Sequence, residues 1–252
     1  NTPGYLGIYI TLNEVNPDLL ARRANRVLMD LSYQDKTTAD KDIIRRRWFL
    51  IDIDPKRPSG ISSSDEEHAK ALQKSEAIRT FLTDLGWPEP LWADSGNGAH
   101  LLYRLDLPND RSATELVKNC LSALASFFSD ESCDVDTSVY NAGRIVKLYG
   151  TFSKKGDRIP GRPYRRSHIL CCPESVTVVS EPLLTRLAGM APQPEVQTRP
   201  KAFHTDVPSD SHSKIDLAVW LSEAGITYSE KPYVEGRLFV LDQCPFSSAH
   251  KD

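Results

Sequence analysis

No stretch of this 252-residue sequence approaches the roughly 20 consecutive apolar residues that a membrane-spanning helix needs, so no membrane partner is expected. The net charge is −3, which removes any global basic excess as a sign of nucleic acid. Affinity for an anionic partner must then come from local clusters. Cysteine is scarce: Cys120, Cys133, Cys171, Cys172 and Cys244 are an odd number without framework spacing. That excludes a disulfide scaffold and points to a reducing cytoplasm. No signal-peptide pattern follows Asn1, and a chain that starts without Met is expected to be a piece of something longer. What is present is ordinary for a soluble globular protein: 40% hydrophobic and 26% charged residues, enough for one large domain or a domain with a small appendage.

The most informative stretch is Arg47-Trp48-Phe49-Leu50-Ile51-Asp52-Ile53-Asp54-Pro55. An apolar run of this kind reads as a buried strand, and a strand alternates its side chains with period 2. Asp52 and Asp54 therefore share one face, while Ile51 and Ile53 enter a core. Pro55 stops the strand because it has no N–H for the ladder. Two neighbouring carboxylates repel and raise each other's pKa, a cost that a bound cation relieves. Hard divalent ions such as Mg²⁺ take such oxygen ligands, with substrate phosphates completing the shell. The same residues also fit a polar strand end running into an Asp-Pro turn.

Before this stretch, residues 4–13 read as a strand, Asn13 to Pro17 as a turn, and 18–26 as a short helix or structured loop. Arg22, Arg23 and Arg26 form one basic cluster. Arg45, Arg46 and Arg47 form a second, preceding the central strand. Taken singly, each reads better as a solvated face. After Pro55, Ser62 or Ser64 can cap a helix that starts with Asp65, Glu66 and Glu67 and ends at Gly86. A strand over Leu91-Trp92-Ala93 leads into Ser95-Gly96-Asn97-Gly98-Ala99-His100, a glycine turn feeding an apolar strand. Such turns let backbone N–H groups cradle an anion, and Ser95 and His100 add donors. The plainer alternative is a β-hairpin with a buried histidine. Residues 110–128 show helical periodicity that places Cys120 in the core.

Asp134 and Asp136 then offer a third carboxylate, followed by Asn141, Arg144 and Lys147. Residues 144–166 hold eight basic residues (Arg144, Lys147, Lys154, Lys155, Arg158, Arg162, Arg165, Arg166) against one acid, Asp157. This fits a phosphate-contacting surface, with Tyr149, Phe152 and Tyr164 available to stack on bases; a solvated basic loop is the alternative. Cys171 and Cys172 fall on a strand over 167–172, point to opposite faces and read as structural. A helix is expected over 181–190. The expected organisation is a catalytic domain over 1–190, a linker over 191–213 rich in Pro, Ser, Thr and Asp, and the start of a truncated C-terminal module over 214–252. There Cys244 and His250 have the spacing of half a tetrahedral zinc site, or are unrelated tail residues.

Taken together, Asp52-x-Asp54, Ser95-Gly-x-Gly-x-His100 and Asp136 with its following polar residues resemble the archaeo-eukaryotic primase superfamily. The likeness is to the primase-polymerase domains of plasmids, phages and bacterial mobile elements, and covers roughly residues 4–175. It implies an α+β protein in which an α/β unit packs on an RRM-like antiparallel sheet carrying the active site. By the same resemblance Asp52, Asp54 and Asp136 are metal ligands for two Mg²⁺ or Mn²⁺ ions, with Asp134 the competitor for the third place. Ser95, Gly96, Gly98, His100, Arg144 and Lys147 would contact the nucleotide, and Lys154, Lys155, Arg158, Arg165 and Arg166 the nucleic acid. Cys244 and His250 resemble the start of a zinc motif found after this domain in some relatives, implying Zn²⁺ there; no zinc site is expected within 1–190. The expected partners are a single-stranded DNA template, NTPs or dNTPs, and a fused or associated helicase or nuclease. The rival readings are a metal-dependent nuclease, a non-catalytic primase-like module that binds single-stranded nucleic acid, and an Asp-x-Asp glycosyltransferase, which has no need of the glycine-histidine turn or the basic cluster.

Overall fold

The strand β3 (Ile43–Pro55) runs through the centre of a mixed α+β architecture. The computed structural model describes residues 7–19, 32, 35, 37–192, 216–233 and 236–242. The chain divides into two units, 1–195 and 196–252. In the first, β5 (Ala99–Pro108) pairs along one edge of β3, with Ile51 opposite Leu101 and Asp52 opposite His100. The other edge of β3 is shared by β2 (Glu14–Val15) near its start and β6 (Cys133–Val135) at its end. β4 (Leu91–Asp94) and β10 (His168–Cys171) complete the sheet in the order β10-β4-β5-β3-β2, antiparallel throughout. Two short ribbons lie apart from it. β1 (Tyr9–Thr11) pairs with β7 (Ile145–Lys147), and β8 (Phe152–Ser153) with β9 (Arg165–Arg166).

Directly opposed residues of an antiparallel pair share a face. Phe49, Ile51 and Ile53 with Leu101, Tyr103 and Leu105 are therefore on one side, all essentially inaccessible to solvent. Helices α1 (Asp65–Asp84) and α2 (Arg111–Phe128) contribute Ala71, Ile78, Leu82, Val117, Leu121 and Leu124 to the same core. Ser64 starts α1 through a reciprocal box: its hydroxyl accepts from the Glu67 N–H at 3.2 Å, and the Glu67 carboxylate accepts from the Ser64 N–H at 2.8 Å. Gly86, at φ +90°, ends it. Asp110 caps α2 by accepting the Ala113 N–H at 2.8 Å. Cys120 is buried there, its Sγ 3.2 Å from the Leu184 carbonyl of α3 (Glu181–Ala188), as its helical spacing predicts. In the second unit Asp216 caps α4 (Leu217–Glu223), and β11 (Tyr228–Tyr233) pairs with β12 (Gly236–Leu241), Tyr228 lying against Phe239. Among the described residues no helix is long and apolar enough to cross a membrane.

Several elements differ from the sequence reading. Of the expected first strand, Tyr9–Thr11 forms β1; a break separates it from Glu14–Val15, which reads as part of a turn in sequence and is β2. Asn13 sits at the break, 7% exposed, with its Oδ1 accepting the N–H groups of Arg47 and Trp48 at 2.8 and 3.0 Å. That side chain satisfies the backbone where β3 bulges between Arg46 and Trp48. Arg45, Arg46 and Arg47 are accordingly inside the strand. Arg46 is 4% exposed and donates to the Tyr140 carbonyl at 2.7 Å and the Thr114 hydroxyl at 2.8 Å. Arg45 and Arg47 pair with Asp106, and Arg47 also with Glu14. These contacts tie β3 to β2, to β5 and to the segments around Thr114 and Tyr140. Cys171 and Cys172 are exposed at the sheet edge, with no core role. Arg22, Arg23, Arg26, Cys244, His250 and most of the expected linker lie outside the described residues.

The turn between β4 and β5 is pressed against β3. A Cβ on Gly98 would lie 2.2 Å from the Ile53 carbonyl oxygen, which is backbone of the central strand and cannot yield. Gly98→Ala is expected to destabilise the first unit by about 1–3 kcal/mol, as overpacking does. Urea denaturation followed by tryptophan fluorescence measures this, and an unchanged midpoint would contradict the close packing.

Candidate functional site

On the sheet face opposite the core, β3, β5, β7 and the end of β8 surround a cleft of about 480 Å³. It brings together eight of the residues singled out in the sequence: Asp52, Asp54, Ser95, His100, Arg144, Lys147, Lys154 and Lys155. Tyr9, Arg57, Asn97 and Ser153 line it too, and sequence reasoning missed them.

Asp52 and Asp54 share the cleft-facing side of β3, as the alternation requires. Burial and the neighbouring Asp52 charge raise the Asp54 carboxyl above its ordinary range, partly opposed by Arg57, whose Nη1 donates to Asp54 Oδ1 at 3.2 Å. For Asp52, burial acts to raise the pKa, but the attraction of His100, Arg144 and Arg57 outweighs it and the net shift is downward. His100 is only 6% exposed. Its Nε2 lies 3.4 Å from Asp52 Oδ1 and its Nδ1 2.8 Å from the Tyr149 hydroxyl. A histidine read as a phosphate donor is thus engaged at both ring nitrogens.

The third carboxylate is arranged differently from the sequence expectation. The Asp136 N–H donates to the Asp52 carbonyl at 2.9 Å, continuing the β3–β6 ladder and setting Asp136 beside Asp52 in the backbone. Its carboxylate, however, accepts the Ser138 N–H at 2.7 Å, capping a short 3-10 turn, and does not line the cleft. Asp134 stands opposite Asp54, 3.4 Å from Lys56, at an adjoining smaller opening that shares Asp54, Arg57 and Lys155 with the cleft. Among the described residues no three Asp, Glu, His or Cys side chains are grouped so as to hold a metal ion. Asp52 and Asp54 are the pair that can contribute to one.

The Ser-Gly-x-Gly turn also departs from the expected anion cradle. The Gly96 N–H donates to Asp94 Oδ1 at 2.6 Å and the Gly98 N–H to the Ser95 hydroxyl at 3.0 Å, so both amides are used within the turn. Gly96 is needed for its φ of +93° and because a Cβ there would meet that of Ser153 at 2.7 Å. Among the described residues the Ser95 hydroxyl accepts the Gly98 N–H and donates to no partner. Asn97 is buried, accepting from the Ser63 N–H at 3.0 Å and donating to the Ser153 hydroxyl at 3.0 Å. No family model, curated protein or solved structure matches this chain. The reading of the cleft therefore rests on its chemistry.

The basic stretch divides into tied and available charges. Arg162 makes a two-pronged pair with Glu67, both contacts at 2.7 Å, and Arg165 donates to Asp65 at 2.6 Å and to the Ser63 carbonyl at 2.8 Å. These two brace the start of α1, so Arg165, expected to contact nucleic acid, is engaged within the fold. Arg166 donates to the Gly150 carbonyl, and Arg144 to the Ser138 carbonyl at 2.7 Å. Arg158 is exposed and outside the cleft. Lys154 and Lys155 line the cleft and form no ion pair among the described residues. Lys147 is 3% exposed, donates to the Phe152 carbonyl, and lies 5.0 Å from the Tyr9 ring centre; burial lowers its pKa.

Asp94 holds the turn from beneath. Its Oδ1 is 2.9 Å from His68 Nε2 as well as 2.6 Å from the Gly96 N–H. Burial acts to raise its pKa, but these two contacts outweigh it and hold the carboxyl below its ordinary range. A depressed folded pKa contributes stability above the unfolded value of about 3.9, lost as pH falls through the folded value. Asp94→Asn is expected to cost about 1–3 kcal/mol at neutral pH, the scale of a buried charged hydrogen bond. The gap to wild type should narrow in melts taken below about pH 4; a pH-independent gap would show that the charge is not what matters.

Proposed function

We propose that this chain is a divalent-metal-dependent nucleotidyltransferase of the primase-polymerase kind, built on the archaeo-eukaryotic primase fold. On this reading it joins NTPs or dNTPs on a single-stranded DNA template in the cytoplasm. The observation that carries the reading is Lys147. A cation 3% exposed, with no carboxylate in ion-pair reach among the described residues, shares one cleft with Asp52 and Asp54. Burying a charge is costly unless something compensates it, and an anionic ligand does so. The polar wall of the cleft thus suits a polyphosphate, with Lys147, Lys154, Lys155 and Arg144 as its contacts and Ser95 as a hydroxyl donor.

The donor set fits Mg²⁺ or Mn²⁺. Asp52 and Asp54 are hard oxygen ligands on one face, and burial together with their mutual repulsion raises the Asp54 carboxyl. Ions of this class are commonly bound by one or two carboxylates together with substrate phosphates. When bound, two such ions supply charge neutralisation and activation of the attacking hydroxyl. The chain's own residues do the positioning that phosphoryl transfer mainly requires. Lys147 and Arg144 orient phosphate oxygens, Arg57 restrains Asp54, and His100 restrains Asp52. One observation favours a second reading, a non-catalytic module that binds single-stranded nucleic acid: the Asp136 carboxylate is spent on a cap and lies outside the cleft.

Labelled-nucleotide incorporation on primed and unprimed single-stranded DNA, with Mg²⁺ or Mn²⁺ and with NTPs and dNTPs separately, tests the proposal. Incorporation is expected, and Asp52→Ala should lower it roughly 100-fold or more, beyond the loss typical of a residue that only supports a ligand. Shortening of the DNA without incorporation would indicate a nuclease, and binding without either would indicate the non-catalytic module. Lys147→Met should raise the nucleotide KM by about 10-fold or more, because a charge-assisted hydrogen bond contributes about 1.5–3 kcal/mol. An unchanged KM would remove the observation on which the reading rests.

A further inference from the structure

His100 is held from both sides, and the two contacts together dictate where its hydrogen sits. Its Nε2 is 3.4 Å from Asp52 Oδ1. A carboxylate only accepts, so this ion-pair contact is attractive when Nε2 carries the hydrogen. A neutral imidazole carries one hydrogen, which leaves Nδ1 as an acceptor. The group 2.8 Å from Nδ1 is the Tyr149 hydroxyl. We infer that Tyr149 is the positioning residue of the carboxylate site: its O–H donates to His100 Nδ1 and thereby fixes the Nε2–H tautomer that restrains Asp52.

The surroundings of Tyr149 support this. Its ring meets the imidazole edge to face at 5.8 Å, a contact that phenylalanine would keep. The backbone on either side is pinned: the Leu148 N–H donates to the Ile8 carbonyl at 2.9 Å, and the Gly150 N–H to the Ser167 carbonyl at 2.7 Å. His100 is the one hydrogen-bond partner of the hydroxyl among the described residues. Burial and the Asp52 charge push the phenol pKa up, so the oxygen keeps its hydrogen. The chain of contacts is that by which a second residue orients a metal ligand through a histidine. Only its consequence for metal and nucleotide depends on the nucleotidyltransferase reading; the tautomer does not.

The test is the long-range nitrogen–proton NMR spectrum of the His100 ring in the full chain without metal, assigned by its loss in His100→Gln. The wild type should show the Nε2–H tautomer, and Tyr149→Phe should move it to Nδ1–H or to a mixture. Mn²⁺ titration followed by electron paramagnetic resonance should show binding weakened roughly 10-fold in Tyr149→Phe. A wild-type ring protonated at Nδ1 or at both nitrogens would overturn the inference without any variant. So would a Tyr149→Phe protein that keeps both the Nε2–H tautomer and wild-type Mn²⁺ affinity. Failure of the wild type to bind Mn²⁺ or incorporate nucleotide would instead sink the nucleotidyltransferase reading, with the tautomer still deciding the role of Tyr149.

Discussion

The β3–β5 register is the constraint on which the rest of the first unit depends. Opposing Ile51 to Leu101 sends one set of side chains into the core, and the same pairing necessarily opposes Asp52 to His100 on the other face. A slip by one residue would exchange the two sets, burying carboxylates and exposing isoleucines. Hydrophobic burial under α1 and α2 therefore specifies the geometry of the cleft as well as stabilising the sheet. The glycine turn follows from the same pairing, because Gly98 must pass over the Ile53 carbonyl with no room for a side chain.

Charge is divided between architecture and the cleft. Arg45, Arg46, Arg47, Arg162 and Arg165 are consumed by the fold, pairing with carboxylates, carbonyls or hydroxyls from distant parts of the chain. Lys147, Lys154 and Lys155 form no ion pair among the described residues, although Lys147 donates to the Phe152 carbonyl, and all three face the same space as Asp52 and Asp54. Exposed ion pairs contribute little stability, whereas an unpaired buried cation is costly. On the nucleotidyltransferase proposal, a bound polyphosphate would offset the cost of burying Lys147.

The site is also braced from behind. Asp94 holds the Ser95–Gly98 turn through Gly96 and ties it to His68 on α1. Asn97 links that turn to Ser63 and Ser153, and Tyr149 contacts His100 from the segment after β7. These contacts come from well-separated parts of the chain, and each consumes a polar group that would otherwise be buried without a partner.

The sequence by itself determined the elements whose signals are local. Period-2 alternation around Asp52 and Asp54, a serine cap (Ser64 of the two offered), the Gly86 stop and the helical spacing of Cys120 all depend on near neighbours, and the structure agrees with each. Asp52, Asp54, Ser95, His100, Arg144 and Lys147 were recognisable as candidates for one site, and they line one cleft. Tertiary structure alone decided which charges were free. Arg165 and Lys154 look alike in sequence, yet one is tied to Asp65 and the other faces the cleft, because ion pairing depends on residues a hundred positions away. It also decided that the Gly96 and Gly98 amides are spent inside their turn, that the Asp136 carboxylate serves as a cap, and that Tyr149 reaches His100. Hydrogen bonds of that kind join segments whose separation carries no periodic signal, so only the folded chain reveals them.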